Sequence, residues 1–169
     1  MKTEKERFTV FFAALILIAS FLAVMPAAEA LSPDDLPGAG EELIITSDDT
    51  LNIAAGETAE LGGTLIVRST AKFYIANHGE FTIEGSIEVE GDNTVVGTNN
   101  YGTLNMYGAR IETRDGGLQN WYNIEEGEWN INDAVLETVG GRINWGNEGE
   151  LNINDAVFET VGGGNQLGQ

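Results

Sequence analysis

Cysteine is missing altogether from this 169-residue chain, so disulfides are not what holds it together. Basic residues are scarce: eight lysines and arginines stand against 27 aspartates and glutamates, a net charge of −19. Nucleic acids and anionic membrane surfaces call for a basic footprint, and this polyanion has none. Histidine occurs once, His78 in an Asn-His-Gly turn, with no cysteine or second histidine to work beside it. Asn-x-Ser/Thr sequons are also missing, which removes N-glycosylation as a reason for the many asparagines. Long hydrophobic runs are limited to one, at the start of the chain.

That run, Phe8 to Met25, is broken only by Thr9 and Ser20. It follows Lys2, Lys5 and Arg7 and precedes Ala28-Glu29-Ala30, a small-x-small cleavage site. Residues 1–30 therefore read as a signal peptide, and the protein is expected to be exported to the cell surface or beyond. An uncleaved anchor is the competing reading, because the run is near the lower limit for spanning a bilayer. Removing these residues takes away three groups of each sign, so the mature part keeps the whole net charge. It reads as a solvated acidic coat that keeps a repetitive protein from aggregating, with divalent cations or a cationic partner as the alternative.

What the sequence does have is a repeat. Gly127-Glu128-Trp129-Asn130-Ile131-Asn132-Asp133-Ala134-Val135-Leu136-Glu137-Thr138-Val139 returns 22 residues later from Gly149 to Val161 with two changes, Leu151 for Trp129 and Phe158 for Leu136. A shorter phrase, glycine-polar-apolar-variable-apolar, starts at Gly63, Gly79, Gly102, Gly127 and Gly149. A period in this range signals stacked supersecondary units. The apolar spacing is two, which is strand-like and excludes a helical bundle.

The expected fold is all-β: a right-handed parallel β-helix (β-solenoid) with three short strands per coil of about 22–25 residues. Residues 31–41, with two prolines and no periodicity, read as a linker. The β-helix domain then covers 42–169, with regular coils over 76–168. The 16-residue step from Gly63 to Gly79 makes the first turns irregular, and a variable loop at one corner absorbs the drift elsewhere. Strand parity turns Leu104/Met106, Trp129/Ile131 and Leu151/Ile153 inward on one wall and Asn105, Asn130 and Asn152 outward. A second wall hides Ala109/Ile111, Ala134/Leu136 and Ala156/Phe158 and shows Glu112, Glu137 and Glu159. A third, shorter wall carries Trp121, Ile143/Trp145 and Leu167, next to a corner made by Gly116-Gly117, Gly140-Gly141 and Gly162-Gly163.

The stretch Gly140-Gly141-Arg142-Ile143-Asn144-Trp145-Gly146-Asn147-Glu148-Gly149-Glu150-Leu151-Asn152-Ile153-Asn154-Asp155-Ala156-Val157-Phe158 resembles the parallel β-helix repeats of secreted and surface proteins, as in polymorphic outer-membrane adhesins and pectate-lyase-like folds. The likeness covers roughly 77–168. It implies a fold more than an activity, since such repeats serve adhesins, envelope components and polysaccharide-cleaving enzymes. This chain is far shorter than most of those proteins and stops at Gln169 after a repeat. The expectation is a fragment of a longer surface protein, or an end paired with another subunit.

Several constellations are candidates for function. The outward Asn105, Asn130 and Asn152 form either a recognition strip or a ladder of amides bonded coil to coil. Glu112, Glu137 and Glu159, with Asp133 or Asp155, offer carboxylates to calcium, against the plainer reading of a wet acidic stripe. Trp121 and Trp145 near the glycine corner are either a stacking platform for carbohydrate or core filling. A lyase would need a basic residue beside a carboxylate cluster. Arg110 and Arg142 are the candidates, but Val135, Val157 and Gly164 at equivalent positions extend no basic strip. The chain therefore reads as a non-enzymatic structural or adhesive module of a cell envelope, with other envelope proteins or a second copy as partners through open strand edges. A carbohydrate-binding or lyase-like β-helix and a calcium-dependent binding module are the alternatives, and no cofactor other than calcium is implied.

Overall fold

The computed structural model describes residues 30–162 and 164–168. The leader reading falls almost wholly outside them, as does the inward place expected for the Leu167 side chain. Among the described residues, seventeen short strands wind into a parallel β-solenoid of five complete coils and two further strands. Strands of one kind stack into three walls. The glutamate wall is β1 (Glu42–Ile45), β4 (Thr64–Val67), β7 (Ser86–Glu90), β10 (Arg110–Arg114), β13 (Val135–Val139) and β16 (Val157–Val161). The tyrosine wall is β2 (Asp49–Ile53), β5 (Lys72–Asn77), β8 (Val95–Asn100), β11 (Leu118–Asn123), β14 (Arg142–Asn147) and β17 (Gly164–Gly168). The asparagine wall is β3 (Thr58–Leu61), β6 (Glu80–Ile83), β9 (Thr103–Tyr107), β12 (Glu128–Asn132) and β15 (Glu150–Asn154).

Every pairing between strands of a wall is parallel, and the repeated phrases sit in register: Trp129 over Leu151, Asn130 over Asn152, Ile131 over Ile153. The parity expected from the sequence holds in the coils before β15, because alternate side chains of a strand point to opposite faces; Leu151, Ile153 and Phe158, expected inside, are instead 38 %, 51 % and 43 % exposed in β15 and β16. Leu65, Ile87, Ile111 and Leu136 are buried in one column, and Phe81, Leu104 and Trp129 in another. Each coil covers the inner face of the next, so stability is carried by neighbours along the axis.

Four expectations need correction. The first coils are as regular as the rest: β1 pairs with β4 and β4 with β7 in steps set by Glu42↔Thr64↔Ser86. Gly63 opens a strand of the glutamate wall and Gly79 one of the asparagine wall, so the 16-residue step compares different corners of the prism. The slack between coils is shared by two corners. The corner leading from the asparagine wall to the glutamate wall always takes two residues, whereas Ile124-Glu125-Glu126-Gly127 fills a corner that His78-Gly79 and Tyr101-Gly102 turn in two. The tyrosine wall, expected to be the shortest, has the longest strands, because four of its members run to six residues.

The fourth correction concerns 31–41, which is not a loose linker. Leu31 bridges to Leu51 in parallel, a 3-10 turn spans Pro33–Asp35, and the Pro37 carbonyl accepts from the amides of Gly62 and Gly63 at 3.2 and 2.8 Å. Leu31 and Leu36 pack against the core. The segment lies across the first coil as an irregular cap. The capping box at its start, Ser32 with Asp35, joins the Ser32 hydroxyl to the Asp35 carboxylate at 2.6 Å and holds that carboxyl below its ordinary range.

Candidate functional site

With the interior filled, any function lies on the three outer faces. On the asparagine wall the outward amides form a ladder. Asn152 donates to Asn130 and Asn130 to Asn105, each at 3.0 Å, and each is braced by a glutamate two residues earlier or one coil below: Glu150, Glu128 and Glu80 at 3.2, 3.0 and 3.0 Å. Side chains of one kind stacked at the sheet spacing satisfy one another. Where this wall meets the cap, a cleft of about 430 Å³ opens, lined by Pro33, Asp34, Thr58, Ala59, Glu60, Glu80, Thr82 and Glu84.

On the glutamate wall Glu88, Glu112, Glu137 and Glu159 stand in one outward column. Glu112 is only 3 % exposed, because Arg110 and Arg114 from its own strand close over it. Arg114 Nε donates to it at 2.5 Å and Arg110 Nε at 3.4 Å, while Arg110 reaches Glu137 at 2.5 Å. The hydrogen bond from Arg114 and the two positive charges hold the Glu112 carboxyl below its usual value, against the opposing effect of burial. The same contact, with Glu88 and Glu90 nearby, raises Arg114. Arg114 was not singled out from the sequence, although its place two residues after Glu112 puts it on the same outward face.

The carboxylates proposed for calcium are therefore not gathered. Glu112 and Glu137 are engaged by arginine, and Glu159 is in the exposed last coil. Asp133 and Asp155 occupy corner positions with φ of 53° and 54°, where the coil below has Gly108 at 62°. Their short polar side chains suit that left-handed turn. Among the described residues no three acidic or histidine side chains converge to hold a metal ion.

Trp121 and Trp145 are not a surface platform. They are 0 % and 7 % exposed and stack on each other at 6.0 Å, with Trp129 edge-on to both at 6.5 and 5.1 Å. Trp121 donates its indole N–H to Gln119 at 2.9 Å, and Gln119 donates in turn to Thr113 at 2.9 Å and to the Glu112 carbonyl at 3.0 Å. Large rings with one polar atom fill a core when that atom finds a partner.

Two exposed rings stand on the outer face of the tyrosine wall. Tyr74 is 47 % and Tyr122 42 % exposed, and each is in register with a glycine of the following coil, Gly97 and Gly146. A Cβ on Gly97 would lie 2.8 Å from Tyr74 Cδ1, and one on Gly146 2.7 Å from Tyr122 Cδ1. Each ring therefore brings its Cδ1–Cε1 edge over a glycine of the following coil, into space that a side chain there would occupy. Asn99 is exposed beside them, and Asn144 donates to Asn120 at 2.9 Å. None of these residues was picked out from the sequence. The signal available was the pairing of Tyr with Gly one period later.

A second amide ladder is internal. Asn77, Asn100, Asn123 and Asn147 run up the corner between the tyrosine and asparagine walls, each donating to the next at 2.7, 2.8 and 2.8 Å. The same amides reach the carbonyls of Thr103, Glu128 and Glu150 one coil further on, at 2.9, 3.0 and 2.8 Å. Asn77, Asn100 and Asn147 are identifiable as turn residues before glycine. Asn123 hides behind the longer corner.

His78 lies against the Tyr101 ring at 4.6 Å, while Arg110 is on the glutamate wall and Arg142 at the edge of the tyrosine wall. These groups are not brought together. Comparisons with protein-family models, with curated proteins and with solved structures return no match.

Proposed function

We propose that this protein is an exported, non-catalytic structural or adhesive module of a cell envelope, of the kind that surface β-helix proteins supply. One observation carries the reading: on two walls the outward polar side chains are bonded to each other from coil to coil, and among the described residues no three acidic or histidine side chains converge on a shared position. Such a surface is stiff and repetitive, suited to display or contact. The arginines beside the carboxylates do not favour a lyase, because a lyase base must give up its proton, and the glutamates around Arg114 hold that proton more firmly. Partners reached through strand edges meet an asymmetry, since the 31–41 cap covers the first coil and a second copy added there has to displace it.

The test is fractionation of cells producing the tagged full-length chain, together with incubation of the purified protein with polygalacturonate and neutral polysaccharides. The reading expects the protein outside the cytoplasm and polymer length unchanged. A cytoplasmic location, or new unsaturated sugar ends, would defeat it.

A further inference from the structure

We propose that the outer face of the tyrosine wall is a binding surface for a neutral polysaccharide, gripped by the exposed rings of Tyr74 and Tyr122. The inference rests on the reading of the protein as a surface module and names what that surface holds.

Charge is the first argument. In a chain of net charge −19, the two central outward columns of this wall contain no charged residue. They read Thr50, Tyr74, Gly97, Asn120, Asn144 and Asn52, Ala76, Asn99, Tyr122, Gly146. The column beside them adds Lys72 and Arg142, both basic and exposed, with Val95 and Leu118 between and one carboxylate, Asp48, beside Lys72 and accepting from its backbone amide at 2.9 Å. The other two walls carry their carboxylates outward. An acidic polymer is repelled by the molecule as a whole, a cationic one prefers those walls, and a neutral chain meets its match on this face.

Ring geometry is the second. Sugar rings present apolar C–H faces edged by hydroxyls, so the complementary surface is a flat aromatic face flanked by amides. Tyr74 and Tyr122 each lean one ring edge over a glycine where a Cβ would collide with it, so glycine in the next coil leaves room for the exposed ring, and a tyrosine has only two side-chain torsions to order on binding. They are two coils apart along the axis, about 10 Å, and two residues apart along the strands, about 7 Å. Two rings on that diagonal address alternate sugars of one extended chain, with the amides of Asn99 and Asn120 between them to bond its hydroxyls. A nucleic acid, whose bases would also stack on tyrosine, is rejected by the charge.

Affinity electrophoresis of the purified full-length protein through gels containing hydroxyethylcellulose, mannan or xylan tests this, with polygalacturonate as the acidic control. The expected result is retardation by at least one neutral polymer, unchanged by added salt or by chelator. Tyr74→Leu and Tyr122→Leu keep the two glycines covered but remove the aromatic faces. Each should weaken retardation by roughly fivefold to tenfold, and the pair should abolish it. Tyr107→Leu, exposed on the asparagine wall, should change nothing. The proposal is overturned if no neutral polymer retards the protein, if the double variant is still retarded, or if only polygalacturonate retards it. A protein that is exported yet bound by none of these polymers would overturn this proposal and leave the surface-module reading standing.

Discussion

At the scale of single residues, the fold is sustained by asparagines that are nowhere near solvent. Asn100 is fully buried, accepts from Asn77, and donates toward Asn123 and the carbonyls of Gly102 and Glu128. Replacing it with leucine strands several of these groups, and each orphaned buried polar group costs about 1–3 kcal/mol. Asn100→Leu should therefore destabilise by about 3 kcal/mol or more in urea unfolding followed by tryptophan fluorescence, whereas Asn152→Ala on the exposed ladder should cost less than about 1 kcal/mol. Glu112 provides a prediction in pH. Its folded pKa is depressed by Arg114 and Arg110, so its stabilisation is complete above its ordinary value of 4.5 and is lost as pH falls through the lowered folded value. Glu112→Gln should be less stable than the parent near neutrality, and the gap should close in urea titrations carried below pH 4.5. The outward ladder Asn105–Asn130–Asn152 was legible in the sequence because strand parity and a fixed period place equal letters over one another. The internal ladder was only half legible, since Asn123 precedes its glycine by four residues where the others precede theirs by two.

At the scale of elements, strands and walls were readable because an alternation of two is a local property of the chain. The cap was not. Its hold on the first coil runs through the Pro37 carbonyl and through Leu31 and Leu36, and neither a carbonyl nor an isolated leucine shows in periodicity. Leu31→Asp with Leu36→Asp should lower the urea midpoint, because two partly buried apolar side chains are exchanged for charges against the core. An unchanged midpoint would mean that the cap does not hold the first coil. The repeated glycines also belong here. A Cβ at Gly102 or Gly149 would overlap the carbonyl oxygen of the glycine one coil below, so these positions serve close approach of coils, while the corner glycines Gly116 and Gly140 serve backbone with φ of 86° and 75°. The tryptophans show why the candidate site was harder to read than the fold: parity assigns a side chain to a face only once the wall is known, and the corner beside Trp121 and Trp145 left that undecided.

For the whole molecule, the balance lies between stacking along the axis and the repulsion of like charges stacked with it. Column neighbours Glu88, Glu112, Glu137 and Glu159 follow one another at about 4.8 Å per coil, and the Debye length at 0.1 M salt is about 10 Å. Sodium chloride should raise the melting temperature, and calcium should do no more than magnesium at equal ionic strength. A calcium-specific rise would instead point to a bound ion. The claim on which all of this depends is the parallel stacking of equivalent phrases, and long-range nuclear Overhauser contacts between β12 and β15 test it most directly. The account predicts contacts that climb together, Trp129 with Leu151 and Ile131 with Ile153. Contacts that run in opposite directions, Trp129 with Ile153 and Ile131 with Leu151, would contradict it.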